Sequence, residues 1–220
     1  MATTAQDAWR TTTILGMQLQ HPLRTVTPTI DGDVLRVLAR SDAWFTVARI
    51  RSLMGSGSPE GIRRVLRRLA DQGVVDTQAA GKAVLHRLNR EHLAAPAIVE
   101  LANLDRGLHE RIRNSLTAFR VAPRYAILFG SGARLTMRAD SDLDLLLVRE
   151  EPDSGEWSDD VADLAQRIHR WTGNDPRILD YGRDDIRGAA SEEPLLRSIA
   201  DEGVFMEGSA SRFRREIGAA

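Results

Sequence analysis

Residues 128–148 read LFGSGARLTMRADSDLDLLLV, and the fold of the second half of the chain turns on them. An apolar strand, RYAILF, runs straight into Gly130-Ser131, and Asp142 and Asp144 then open a second apolar run. Residues two apart on a strand share a face, about 7 Å from one another. Two bare carboxylates at that spacing repel each other and lose hydration. A strand start carrying both therefore calls for counter-charge, and a divalent cation is the natural one. Mg²⁺ takes carboxylate oxygens and shares its shell with phosphates. Gly130 allows close backbone approach, while Ser131 and the N–H groups of a following helix start suit a phosphate. A turn-capping Asp142 with a sheet-edge Asp144 would explain an isolated D-x-D. The Gly-Ser pair at the end of the preceding strand favours the site.

Outward from this stretch, the pattern alternates. EWSDDVADLAQRIHRWTG has helical spacing, with Trp157, Val161, Leu164, Ile168 and Trp171 on one face. RILDY reads as a short strand, EEPLLRSIADEG as a helix and VFME as a last strand. Strands alternating with helices predict an α/β or α+β domain on a mixed sheet. Asp180 stands inside the apolar strand RILDY, where alternation puts it with Ile178 and opposite Leu179. Packing explains it poorly, so it is the candidate third acid, against the alternative of an edge residue facing water.

The first half reads differently. DGDVLRVLARSD and FTVARIRSLMG have helical apolar spacing, and Ser58-Pro59 starts a third helix whose buried stripe is Ile62, Val65, Leu66 and Leu69. VVDTQAAGKAVLHRLN follows as two strands about a Gly-Lys turn. Three helices and a hairpin are the order of a winged helix-turn-helix, whose third helix enters the major groove. Here its polar face is Arg63, Arg64, Arg67 and Arg68, with Lys82 at the hairpin tip and Arg87 nearby. Cations pair with phosphates, and arginine pairs with guanine edges, so these residues are the expected contacts to double-stranded DNA. The repeat of Gly-Ser in MGSGSP, residues 54–59, has no strand before it and reads as the turn between the second and third helices. Apolar positions from Ile98 to Phe119 recur at threes and fours, predicting one long connecting helix or two pieces, expected to mediate dimerisation.

Charge follows the same division. Residues 31–91 hold eleven Lys/Arg against seven Asp/Glu, and residues 121–220 hold thirteen against twenty. A basic half suits a polyanion and an acidic half does not. With no cysteine, disulfides and thiolate chemistry are excluded. The five histidines lack metal-ligand spacing, and no apolar run reaches membrane-span length, so a cytoplasmic protein is expected. The expected organisation is an N-terminal extension over 1–30, a winged helix-turn-helix over 31–92, a connecting helix over 93–120 and an α/β domain over 121–220.

The motif Gly130-Ser131 followed by Asp142-x-Asp144 resembles the signature of the polymerase-beta-like nucleotidyltransferases, in particular their minimal bacterial branch. Ala133-Arg134 and Ser141 also fit, and the resemblance covers roughly residues 110–210. Gly132, where a larger residue is usual, and Leu135, where glycine commonly follows the arginine, depart from it. The resemblance implies nucleotide binding at Gly130, Ser131 and Arg134, and Mg²⁺ or Mn²⁺ held by Asp142, Asp144 and a third acid from the strand after the intervening helix, Asp180. It implies transfer of NMP from an NTP to a hydroxyl of a protein, an RNA or a small molecule, with pyrophosphate leaving. The alternatives are a transcriptional regulator whose nucleotidyltransferase-like domain only senses nucleotide, and a module for protein contact.

Overall fold

A computed structural model describes residues 16–150, 155–189 and 193–219. Most of the extension expected over residues 1–30 lies outside them. Two compact units are present: residues 18–110, and the described residues from 111 onward with Gly16 and Met17.

In the first unit, a 3-10 turn at Pro22–Thr25 precedes helices α1 (Ile30–Ala39), α2 (Val47–Met54) and α3 (Pro59–Asp71). Thr46 and Ser58 start α2 and α3 by accepting the N–H groups of Arg49 and Gly61. Gly55 ends α2 in the left-handed region at φ +71°, so MGSGSP is a turn between two helices. Strands β1 (Val75–Ala80) and β2 (Ala83–Leu88) form an antiparallel hairpin closed by Gly81 and Lys82, and Phe45 bridges to His86 beside it. Val34, Leu38, Ile50, Ile62, Leu66 and Leu88 form the fully buried centre of this unit. Buried Asp33 is held by His21 at 2.7 Å and Arg24 at 2.6 Å, which fixes the turn before α1.

The expected connecting segment is two helices, α4 (Ala95–Ala102) and α5 (Leu104–Leu116). Asn103 interrupts them, with its side chain turned back to donate to the Val99 carbonyl at 2.7 Å. Helix α4 packs on α1 within the first unit's core, and the division between units falls inside α5. Of the stripe from Ile98 to Phe119, Leu108, Ile112 and Leu116 are buried and Ile98, Leu101, Leu104 and Phe119 are partly exposed.

The second unit is a mixed α/β structure on a four-stranded sheet ordered β5-β4-β3-β6. Its elements are β3 (Pro123–Phe129), α6 (Gly130–Arg134), β4 (Leu143–Arg149), α7 (Gly155–Thr172), β5 (Pro176–Gly182), α8 (Arg183–Ile186), α9 (Pro194–Glu202), β6 (Val204–Glu207) and α10 (Ala210–Ile217). β3 is antiparallel to both β4 and β6, and β5 runs parallel to β4 after the α7 crossover. Both central strands are apolar on both faces, as a doubly covered sheet requires. Tyr125, Ile127, Leu146 and Val148 pack with Leu196, Ile199, Phe213 and Ile217 of α9 and α10. Trp157, Leu164 and Ile168 of α7 are buried.

Candidate functional site

The corner where β3 becomes α6 brings the central motif together. Phe129 lies across the ladder from Asp144, so Gly130 turns the chain beside that carboxylate. Gly130 has φ +67°, and a Cβ built on it would stand 2.4 Å from Asp144 Oδ2. Any side chain here would have to displace the carboxylate, and the backbone conformation disfavours one independently. Ser131 follows in the first turn of α6, half-buried. Gly132 is buried, and a Cβ there would meet Leu128 at an ordinary 3.4 Å, so bulk is tolerated but not required. Leu135, in the place where the resembling family has glycine, is left-handed at φ 56°, which no other non-glycine adopts among the described residues. The position has the conformation that suits glycine although leucine occupies it.

Asp142 stands immediately before β4, and the loop behind it is well tied. The Ser141 hydroxyl accepts from the Arg138 N–H at 2.8 Å, and its carbonyl accepts from buried Asn174 at 2.9 Å. Burial, then the charge of Asp142, push the Asp144 carboxyl above the usual range, and Arg177 and Arg134 oppose the shift. Arg134 also pairs with Glu202 of α9 at 2.9 Å.

Asp180 is not part of this corner. The parallel register pairs Asp144 with Arg177 and Leu147 with Asp180. Paired residues share a face, so Asp180 lies on the face opposite Asp144 and three positions further along. There it accepts from Arg149 at 2.6 Å and from the indole N–H of buried Trp157 at 3.0 Å. It thereby links β5 to Arg149 of β4 and Trp157 of α7. The residue that β5 does deliver beside Asp144 is Arg177, whose Nε donates to Asp142 Oδ2 at 2.8 Å. Sequence reasoning passed over Arg177, although alternation in PRILDYG puts it on the face opposite Asp180. Among the described residues, no group of three or more His, Asp or Glu side chains is placed to hold a metal ion.

A second candidate surface lies on the first unit. All four arginines of α3 are exposed. Arg63, Arg67 and Lys82 line one concavity of about 520 Å³ between α2, α3 and the hairpin, with Thr46, Thr77 and His86 among the walls. Arg68 instead pairs with Asp31 of α1. Arg64 is exposed but outside the concavity. Arg87 pairs with Asp76 at 3.0 Å and lies over the Trp44 ring at 4.6 Å. The structure therefore gathers three of the six cations expected to contact DNA.

No protein-family model and no curated protein matches the chain. Several chains of solved structures resemble part of it, among them two toxin–antitoxin structures. A toxin–antitoxin structure determined with AMP-PNP is 16% identical with a TM-score of 0.38, over 50% of this chain and 81% of that one. A mutant of the MntA-HpeT toxin–antitoxin is 14% identical with a TM-score of 0.35, over 50% of this chain and 80% of that one. Likenesses this low carry no argument about fold or activity, so the functional reading rests on the geometry of the chain itself.

Proposed function

We propose that the second unit binds a nucleoside triphosphate at the β3–β4 corner and transfers its NMP group to a hydroxyl. The observation that carries this reading is the seating of the Asp144 carboxylate against the backbone of Gly130, with Asp142 beside it. Two oxygen donors with excess negative charge fit one hard divalent cation, Mg²⁺ or Mn²⁺, whose remaining positions water and phosphate oxygens would fill. When bound, it would supply charge stabilisation to the phosphates. Gly130 and Ser131 would approach the phosphates, and Arg134 would add a cation beside them. The acceptor is a protein, an RNA end or a small molecule. Incubation with each labelled NTP, Mg²⁺ or Mn²⁺ and a cell lysate should yield a labelled acceptor; no label under any combination would refute transfer.

A second reading has its own observation. Arg177 stands on β5 beside Asp144, and the neighbouring strand adds no acid on that face. A site so built favours holding nucleotide over turning it over, as in a regulator that senses nucleotide. The first unit, read as a winged helix-turn-helix, would then contact double-stranded DNA through Arg63, Arg67 and Lys82 as the dimer expected of that motif. Nucleotide that shifts DNA affinity without product formation would distinguish this reading from the enzyme.

A further inference from the structure

We propose that Arg177 is a resident competitor for the cation at Asp142, so that the corner takes up one divalent cation at most and only after the guanidinium has let go. The inference rests on the nucleotide-site reading given above and deepens it.

The argument begins with register. β5 pairs with β4 in parallel, and Arg177 is the partner of Asp144. Its side chain therefore leaves the sheet on the same face as that carboxylate, and its Nε reaches Asp142 Oδ2 at 2.8 Å. One oxygen of the pair that would hold a cation is already occupied by a positively charged donor. The occupation is reversible in kind: the Arg177 side chain is 69% exposed, against 31% for Asp142. An exposed ion pair of this sort is weak, because water screens it and ordering a long side chain opposes it. A guanidinium is also a poor equivalent of a metal ion, since it brings one charge and only donors.

Two consequences follow. Released from Asp142, the guanidinium stays tethered on β5 beside the corner, where phosphate oxygens would accept its fork of donors. Nucleotide should therefore draw Arg177 off Asp142 and open the carboxylate to the cation. Without nucleotide, cation binding has to break the pair and then tolerate the nearby positive charge. Repulsion between one guanidinium and a divalent ion about 5 Å away through water corresponds to roughly tenfold in affinity. With Asp180 on the far face, no group of three or more His, Asp or Glu side chains among the described residues is placed to hold a second ion.

The test is a Mn²⁺ titration of the full chain, followed by the electron paramagnetic resonance signal of free Mn²⁺, without nucleotide and again with AMP-PNP. Wild type should bind at most one Mn²⁺ weakly alone and more tightly with AMP-PNP. Arg177→Gln should bind one Mn²⁺ about tenfold more tightly than wild type without nucleotide, and the advantage should shrink when AMP-PNP is present. Arg177→Lys, which restores a cation at the position, should fall back towards wild type. Because Arg177 is largely exposed, the glutamine variant is expected to fold, and its urea midpoint checks this. Equal Mn²⁺ affinity in wild type and Arg177→Gln, or two ions bound by wild type, would overturn the competitor role while leaving the nucleotide site standing. No Mn²⁺ binding by any protein, with or without AMP-PNP, would overturn the nucleotide-site reading and this inference with it.

Discussion

Replacing Gly130 by alanine tests the seat of the Asp144 carboxylate directly. Two separate penalties are expected. An L-residue at φ +67° costs about 1–2 kcal/mol in backbone strain. The added Cβ would fall 2.4 Å from Asp144 Oδ2, with Cγ at 3.3 Å and Cβ at 3.6 Å, so the carboxylate must swing aside. Displacing a half-buried side chain adds about 1 kcal/mol, at the low end for overpacking because a terminal atom moves. Gly130→Ala should therefore lose about 2–3 kcal/mol in urea denaturation. The two penalties are separable, because only the second involves Asp144. In the Asp144→Ala background the clashing oxygen is gone and the strain remains, so Gly130→Ala should then cost only about 1–2 kcal/mol. The double-mutant cycle should show a coupling of about 1 kcal/mol, the double variant being more stable than the sum of the singles. Additive effects, or a loss below about 0.5 kcal/mol for Gly130→Ala, would refute the contact.

Three further outcomes are expected. Asp180→Ala should lower stability by about 1–3 kcal/mol, since it takes an acceptor from the buried Trp157 indole and from Arg149, yet leave Mn²⁺ and nucleotide affinity unchanged; loss of binding without loss of stability would return Asp180 to the site. Arg124 donates to Glu216 at 2.9 Å and holds its carboxyl down to about 2, against an ordinary value of 4.5. A depressed folded-state value contributes stability in full above about pH 4.5, and loses it as the pH falls towards 2. Glu216→Gln should thus narrow the difference between urea midpoints at pH 6 and pH 3; an unchanged difference would contradict the pairing. In gel shifts with double-stranded DNA, Arg63→Ala and Arg67→Ala should each flatten the log–log salt slope by about one, and Arg68→Ala less, because Arg68 already pairs with Asp31; equal effects of all three would remove the concavity from the interface.

Much of the second unit was legible because its signals are local. Apolar runs, the Gly-Ser at a strand end and the period of α7 each announce one element, and a mixed sheet follows from their alternation. That the Gly-Ser corner and the two aspartates belong to one site was read from the motif, whereas the seating of Asp144 against Gly130 depends on the antiparallel register of β3 on β4. Asp180 shows where such reasoning stops. Its alternation with Ile178 was read correctly, but whether that face is also Asp144's depends on the register of β5 against β4, and a one-residue shift reverses the answer. No residue in RILDY encodes that register by itself. Arg177 was missed for the same reason. Two helical pieces were one of the readings of this segment, but the place of the break at Asn103 was hidden because the apolar spacing continues across it, and only the return of α4 to the α1 core shows why the helix stops there. The arginines of α3 look equivalent in sequence; Asp31, from a distant helix, separates Arg68 from the rest.

The central claim is that Asp142 and Asp144 form a cation-dependent nucleotide site at the β3–β4 corner. The most direct measurement is the affinity of a fluorescent ATP analogue for wild type, Asp142→Asn and Asp144→Asn, each with Mg²⁺ and with EDTA. Wild type should bind more tightly with Mg²⁺ than with EDTA, and both variants should lose that difference while unfolding at the wild-type urea midpoint or above it, since each removes one charge from a repelling pair. Wild-type affinity that ignores Mg²⁺, or variants that keep the full Mg²⁺ enhancement, would contradict the claim.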